Sequence, residues 1–154
     1  MSRGSICQTG VLDPETGKLS APAEPLDQLA QRFDYVLAEA DGGRRLPLKA
    51  HAPWEPVIPS GTANIAWLVG ASGLGKPINE VVHRPELFCE RCGCEPTDVA
   101  TPERVARVLN AEMQALELST ARVMLNQVDT LRDPTMADRF EATLGRPIVA
   151  TNLK

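Results

Sequence analysis

The segment from Glu39 to Lys49 contains the densest group of side chains capable of chemistry. Its charged and glycine positions are Glu39, Asp41, Gly42, Gly43, Arg44, Arg45 and Lys49. Glu39 and Asp41 are two residues apart, so their carboxylates lie on the same side of an extended chain. Such a pair can hold Mg²⁺ directly or through water. The three cationic side chains can neutralise an anion such as a phosphate. The alternative is an exposed loop whose acids and bases pair with each other, which would contribute little to stability.

The residues before this segment predict its position in a fold. Tyr35-Val36-Leu37-Ala38 is apolar without a break, as is typical of a buried parallel strand. Open α/β sheets bind their ligands beyond the carboxyl ends of strands. The sequence therefore places Glu39–Lys49 at a strand end and favours a binding function for it.

Two further segments contain candidate binding residues. His83 and Arg84 are adjacent, and a histidine beside an arginine can bind an anion or move a proton, although a lone histidine is more often structural. Asn126 and Asp129 form an N-x-x-D motif at the end of a predicted strand. In nucleotide-binding α/β proteins this motif can read guanine, but Gln127 stands where a lysine usually packs under the base. Short motifs of this kind also occur by chance.

The glycine-rich segment from Gly70 to Lys76 matches G-x-x-x-x-G-K and follows a predicted strand over Ala63–Val69. Pro77 stands where a phosphate-binding loop requires Ser or Thr. Proline has no hydroxyl for Mg²⁺ and no N–H for a phosphate. We therefore expect a turn here, and no complete phosphate-binding loop.

Three of the four cysteines are close together, at Cys89, Cys92 and Cys94. A CxxC pair supplies two of the four ligands of a zinc site. Cys94 would be a third ligand, and His83 or Cys7 would have to supply the fourth. The sequence has no second CxxC, so we expect helix-end cysteines and not zinc. Disulfides are not expected in a reducing cytosol.

Helical and strand patterns alternate along the chain. Helices are predicted over Leu26–Phe33, from Arg84 onward, from an N-cap at Thr101, and over Pro134–Leu144 with Gly145 at its end; strands are predicted over Ile6–Val11, Arg122–Asn126 and Ile148–Thr151. This alternation predicts an α/β fold, with a mostly parallel sheet and covering helices. We expect a single domain over residues 1–154.

The composition excludes some classes of protein. The formal net charge is -4, which argues against a nucleic-acid partner. No stretch approaches the roughly 20 apolar residues of a membrane span, so no membrane association is expected. The polar start, Met1–Ser5, does not resemble a signal peptide. The expected compartment is the cytoplasm.

Several motifs taken together resemble the YqeC family, whose members are described as accessory factors for selenium-dependent molybdenum hydroxylases. They are Glu39-Ala40-Asp41-Gly42 with Arg44-Arg45 and Pro47-Leu48-Lys49-Ala50, then Glu55-Pro56-Val57-Ile58-Pro59, Gly75-Lys76-Pro77 and His83-Arg84-Pro85-Glu86. The resemblance extends from about Gly17 to Asp129. It departs from the family at Gly43, where serine is usual, and at the cysteine group.

The resemblance implies a P-loop-type nucleotide-binding fold and a role in maturing a molybdenum hydroxylase, with that enzyme or its maturation machinery as partner. Family members carry a phosphate-binding loop upstream of the segment that this sequence covers. The chain is therefore expected to be the C-terminal part of a longer P-loop-like protein. A late start codon, a fragment, or a short form that covers the gap as a homodimer would each account for this.

On this interpretation a Mg-nucleotide, with GTP or ATP, is the expected cofactor. Asp41, helped by Glu39, would organise Mg²⁺. The implied cofactor-binding residues are Glu39, Asp41, Gly42, Arg44, Arg45, Lys49, His83, Arg84, Asn126 and Asp129. Two other hypotheses stay open: a non-enzymatic docking module for the hydroxylase or its molybdenum cofactor, and a small zinc-stabilised domain.

Overall fold

The computed structural model describes residues 7–153, and the chain divides into two compact units with a boundary between Ala38 and Glu39. The first unit contains helix α1 (Leu26–Arg32), which begins after Pro25 as predicted. The predicted strand over Ile6–Val11 starts outside the described residues, and residues 7–11 form no strand. The Met1–Ser5 segment also lies outside the described residues.

The prediction of a buried strand over Tyr35–Ala38 is wrong. These residues form no strand, and Tyr35 and Leu37 are 90% and 98% exposed. A short apolar run becomes a strand only where a neighbouring strand supplies hydrogen-bond partners, which periodicity does not reveal. The Glu39–Lys49 segment therefore follows a largely exposed stretch of chain that forms no strand.

The second unit contains the remaining strands and helices of the described chain. The strands are β1 (Leu48–Lys49), β2 (Ala66–Gly70), β3 (Val82–His83), β4 (Arg122–Asn126) and β5 (Ile148–Thr151). The helices are α2 (Ile78–Val81), α3 (Pro85–Cys92), α4 (Pro102–Ala115) and α5 (Thr135–Leu144), with short 3₁₀ turns at Ala71–Gly73 and Val128–Thr130. Strand β1 pairs with β3, and β4 lies between β2 and β5 in a second sheet. Both sheets are parallel throughout, which confirms the α/β fold class.

Capping residues mark the start of α4 and the end of α5. Thr101 caps α4, because its Oγ1 accepts a hydrogen bond from the backbone N–H of Arg104 at 3.3 Å. Pro102 occupies the first turn, as predicted. Gly145 ends α5 in the left-handed conformation, with φ at +72°. Among the residues that the structure describes, no helix is long and apolar enough to cross a bilayer.

The core of the second unit lies between one face of the β2-β4-β5 sheet and the helices. Val69, Val123 and Leu125 point into it from the strands. Helix α4 contributes an apolar stripe formed by Val105, Val108, Leu109 and Met113. Helix α5 contributes Phe140 and Leu144. This packing fixes the helices relative to the strands and so positions the polar side chains described below.

The opposite face of this sheet is apolar and open to solvent. Leu68, Met124 and Val149 form a row across the three strands, because Leu68 pairs with Met124 and Met124 with Val149. Leu68 is 61% exposed and Val149 is 46% exposed. Parallel sheets are usually covered on both faces, so this row is an unusual feature of the surface.

Candidate functional site

Strands β1 and β3 end side by side and carry the candidate site. Lys49 lies opposite His83 in the parallel ladder, and the backbone N–H of Ala50 donates to the carbonyl of His83 at 3.0 Å. Arg84 follows β3 in a left-handed conformation, with φ at +67°. Its guanidinium donates to the carbonyl of Ala50 at 3.3 Å. The two strand ends therefore place charged side chains from both strands together.

A buried histidine, His51, lies at the centre of these charges and is 7% exposed. Its Nε2 is 2.7 Å from Oδ2 of Asp41, and its Nδ1 is 2.6 Å from Oε2 of Glu112. Its ring meets the edge of Trp67, with centroids 4.7 Å apart. Both ring nitrogens face carboxylates, and only the imidazolium can donate from both. Burial alone lowers the pKa of His51, but the hydrogen bonds to Asp41 and Glu112 outweigh it and raise the pKa above its ordinary value.

Glu112 connects this histidine to two helices. It lies on α4, is 5% exposed, and accepts a hydrogen bond from the backbone N–H of His51 at 2.9 Å. Arg91, near the end of α3, pairs with the same carboxylate and also donates to the carbonyl of His51. A buried carboxylate is stable only when it is paired and hydrogen-bonded in this way.

A second pair of carboxylates holds the cations at the strand ends. Nζ of Lys49 is 2.6 Å from Oδ2 of Asp41 and 3.1 Å from Oε2 of Glu55. Arg84 forms a bidentate ion pair with Glu55. Burial tends to raise the pKa of Asp41, but His51 and Lys49 lower it to about 2. The hydrogen bonds from Arg84 lower the pKa of Glu55, also to about 2. Both carboxylates are therefore ionised at neutral pH.

We call this group of side chains the His51 network; its members are Asp41, Lys49, His51, Glu55, Arg84, Arg91 and Glu112. With His51 protonated, four cations face three carboxylates, so one positive charge is in excess. His83 lies beside the network. Its pKa is lowered by burial and then by the positive charges of Arg84, Lys49 and Arg44. Three positive charges therefore lie near His83, and the charge of Glu55 opposes them.

Arg44 and Arg45 add to this positive region from the surface. Both are exposed and both have left-handed backbones, with φ at +51° and +62°. Within the described part of the chain, neither takes part in an ion pair. Their guanidinium groups are thus available to an anion from solution.

The structure brings together some of the residues predicted from the sequence and separates others. Asp41, Lys49 and Arg84 belong to the His51 network, and the carbonyl of Gly42 accepts a hydrogen bond from Nζ of Lys49 at 2.9 Å. His83 and Arg44 lie beside the network, whereas Glu39 is exposed.

Sequence reasoning missed His51, Arg91 and Glu112, and named Glu55 only as part of a motif shared with the family. One signal was present: Glu112 follows Val105, Val108 and Leu109 at helical spacing, on the apolar stripe of α4. A carboxylate buried in that position is stable only when a cation pairs with it.

Asn126 and Asp129 make their contacts at the end of the other sheet. The amide of Asn126 donates to the carbonyl of Leu153 at 3.2 Å, and its oxygen accepts from the backbone N–H of Leu153 at 2.7 Å and from Oγ1 of Thr151 at 3.0 Å. The backbone N–H of Asp129 donates to Oδ1 of Asn152 at 3.1 Å. In this arrangement Asn126 fastens the chain after β5 to the end of β4. Recognition of a base by this pair stays a prediction.

The Gly70–Lys76 segment uses its backbone N–H groups within the protein. The N–H groups of Gly70 and Gly75 donate to the carbonyls of Pro47 and Ala100, at 2.8 and 3.0 Å. A phosphate-binding loop instead leaves such groups free to cradle the phosphate. The segment forms a 3₁₀ turn that leads through Pro77 into the four-residue helix α2.

The surroundings of Asp41 do not fit Mg²⁺ in this arrangement. Its Oδ2 already contacts both Lys49 and His51, and a metal ion there would have to displace two cations. Within residues 7–153, no group of three or more His, Cys, Asp or Glu side chains is arranged to hold a metal ion. Mg²⁺ binding by Asp41 stays a prediction that requires this carboxylate to be released.

The fold and this site define an α/β protein with parallel strands and a charge network around a buried histidine at two strand ends. A family model described as "YqeC protein" matches residues 2–86, and the chain belongs to the YqeC family. A curated relative, "Uncharacterized protein YqeC" of Escherichia coli (strain K12), is 40% identical over 76 residues. The match covers 47% of this chain and 30% of that protein, so the chain spans under a third of the relative. No solved structure matches the chain significantly.

Proposed function

We propose that this YqeC-family chain binds a phosphorylated ligand, with the phosphates of GTP or ATP as the leading candidates. The ligand's phosphates would lie at the surface beside His83, where Arg44 and Arg45 supply the positive charge. The observation that carries the proposal is the charge imbalance: with His51 protonated, the His51 network has one positive charge in excess, and Arg44, which has no ion-pair partner in the described chain, lies near His83 beside it.

The His51 network would act by fixing the position of the binding surface. Lys49 and Arg84 are held by Glu55, so a ligand need not order them when it binds. Preorganisation of this kind lowers the entropic cost of binding. Arginine suits the task at the surface, because its planar fork donates two parallel hydrogen bonds to a phosphate.

We further propose that the chain serves as an accessory factor in the maturation of a selenium-dependent molybdenum hydroxylase. Family membership and the motifs around Glu39–Lys49 and His83-Arg84 support this role. In this proposal Asn126 and Asp129 would recognise the base. Asp41 would coordinate Mg²⁺ after its contacts with Lys49 and His51 are broken. The role in maturation is independent of the binding test that follows.

Isothermal titration calorimetry with pyrophosphate, Mg-GTP and Mg-ATP tests the binding proposal. We expect saturable binding by the unaltered chain and binding weakened by roughly tenfold or more in the double variant Arg44→Ala/Arg45→Ala, because each charge-assisted hydrogen bond contributes on the order of 1.5–3 kcal/mol. The matched control is Arg107→Ala/Arg132→Ala, which removes two exposed arginines elsewhere in the second unit. Absence of binding, or equal weakening in both double variants, would contradict the proposal.

The docking module is the second candidate function, and one observation favours it. Trp54 and Val57 are 73% and 69% exposed, on either side of Glu55. Exposed aromatic side chains such as Trp54 are enriched at protein interfaces. Under this alternative, Trp54→Ala weakens binding to the purified hydroxylase, and Asp129→Ala leaves that binding unchanged. Under the nucleotide proposal, Asp129→Ala reduces any preference for guanine.

A further inference from the structure

A pair of thiols outside the His51 network lies close enough to react. Helix α3 ends at Cys92, and Gly93 follows in the left-handed conformation, with φ at +62°. This reverses the chain, so the backbone N–H groups of Gly93 and Cys94 both donate to the carbonyl of Cys89, at 2.8 and 3.3 Å. As a result, Sγ of Cys94 lies 3.0 Å from Sγ of Cys92. A disulfide bond of about 2.05 Å would require the two sulfurs to approach by only roughly 1 Å.

The surroundings of these thiols make one of them accessible. A cleft of about 430 Å³ is lined by Cys89, Glu90, Gly93, Cys94, Glu95 and Asp98. Cys94 lines this cleft, and Cys92 is not among its lining residues. Burial, and then the hydrogen bond with Cys94, raise the pKa of Cys92 to about 12, so Cys92 is held as a protonated thiol. A small reagent that enters the cleft therefore meets Cys94 first.

We propose that Cys92 and Cys94 form a dithiol site that undergoes exchange with small, positively charged disulfides. In the first step the thiolate of Cys94 attacks one sulfur of the small disulfide. A mixed disulfide forms, and the first small thiol leaves with the proton that Cys94 gave up. In the second step Cys92 loses its proton and attacks Sγ of Cys94, and the second small thiol leaves. Two protein thiols are oxidised to one disulfide, and the small disulfide is reduced to two thiols.

The charge of the cleft determines which disulfides can enter. Arg104 pairs with Asp98 at 3.1 Å, so one of the three acidic side chains is neutralised. Glu90 and Glu95 have no ion-pair partner among the described residues. They attract a cationic reagent and repel an anionic one. The site should therefore prefer a diamine disulfide to a disulfide that carries carboxylates.

Mass spectrometry of the whole chain after treatment with cystamine or with oxidised glutathione tests this proposal. We expect cystamine to remove two hydrogens at Cys92 and Cys94, with peptide mapping placing a bond between them, and to leave a separate mixed disulfide at the exposed Cys7. In the Cys92→Ser variant the reaction should stop at a mixed disulfide on Cys94, because the second thiol is missing. Cys7→Ser, the control at an exposed cysteine of the first unit, should leave this reaction unchanged. Oxidised glutathione should react more slowly than cystamine.

Other outcomes would overturn the proposal. A mixed disulfide that persists on Cys94 of the unaltered chain would show that Cys92 does not complete the exchange. A bond from Cys89, or equal rates with the two reagents, would contradict the assigned pair or the role of the acidic side chains. Stoichiometric zinc that blocks the reaction in the purified chain would show a metal site instead. Circular dichroism of each variant separates these outcomes from loss of the fold.

Discussion

At the scale of single residues, His51 links the protonation of the chain to its stability. Its pKa in the folded state is raised, so the stability that it contributes is fully present below the unfolded value of about 6.5 and is lost as the pH rises through the folded value. His83, whose pKa is lowered, acts in the opposite direction. The sequence contains two histidines, so their effects can be separated by two variants.

We predict that the free energy of unfolding, measured by urea denaturation, falls as the pH rises above about 6.5. This fall should disappear in His51→Gln, because that variant has no imidazolium between Asp41 and Glu112. It should persist or steepen in His83→Gln, the matched control. An unchanged slope in His51→Gln would show that the network does not hold a protonated histidine.

Asp41 determines how the stability contributed by the same network changes at low pH. Its pKa is lowered to about 2, so its contribution is present above about 3.8 and is lost as the pH falls toward the folded value. We predict that Asp41→Asn costs about 2 kcal/mol at pH 7, since one pKa unit corresponds to about 1.4 kcal/mol. Glu39→Gln, an exposed carboxylate two residues away, should change stability little in the same denaturation measurement.

The sequence identified the charged segment but not its centre. Asp41, Lys49 and Arg84 stood out in the sequence by their residue types, although the strand predicted before Asp41 is absent. Their role as binding residues stays a prediction. His51 and Glu112 are 61 positions apart, and no local pattern connects them. Only packing of α4 against the chain after β1 brings them together, so that contact could not be derived from spacing.

At the scale of elements, the close approach of β2 to the chain before β1 depends on a glycine. The backbone N–H of Gly70 donates to the carbonyl of Pro47 at 2.8 Å. A Cβ atom at position 70 would lie 2.7 Å from Cβ and 2.8 Å from the carbonyl oxygen of Pro47. These are backbone and ring atoms that cannot move aside alone, so the two segments would have to separate.

We predict that Gly70→Ala lowers the free energy of unfolding by roughly 1–3 kcal/mol, the usual cost of overpacking. Gly42→Ala is the control, because a Cβ atom there meets nothing within 4 Å. Equal stability of the two variants would mean that β2 can move away from Pro47 without cost. Urea denaturation of both variants under the same conditions provides the comparison.

The elements that the sequence predicted well are those with both a period and a boundary signal. Helix α4 has an apolar stripe and a Thr101 cap, and α5 has Gly145 at its end. The run Tyr35–Ala38 had neither a cap nor alternation, and its exposure depends on the absence of a strand partner among the described residues. Strand pairing is a long-range property, and four apolar residues do not specify it.

At the scale of the whole molecule, the open row of Leu68, Met124 and Val149 should affect surface behaviour more than folding. We predict that Leu68→Thr/Val149→Thr reduces binding of an apolar fluorescent dye while changing the free energy of unfolding by less than about 1 kcal/mol. Leu68 is 61% exposed, so little buried area is lost. Val57→Thr, at another exposed apolar residue, is the control and should reduce dye binding less. A large loss of stability would show that this face is buried in solution.

The His51 network also has a consequence for the order in which the chain assembles. Its central hydrogen bonds join positions 61 residues apart, whereas α4 and α5 are near neighbours in sequence. Closing a long loop costs entropy before any contact offsets it, so the network should form after the folding transition state. Variants at Glu112 would then accelerate unfolding and leave the refolding rate nearly unchanged, which stopped-flow measurements in urea would reveal. In that case the charges at the two strand ends govern how long the folded chain survives, and the apolar helices govern how fast it forms.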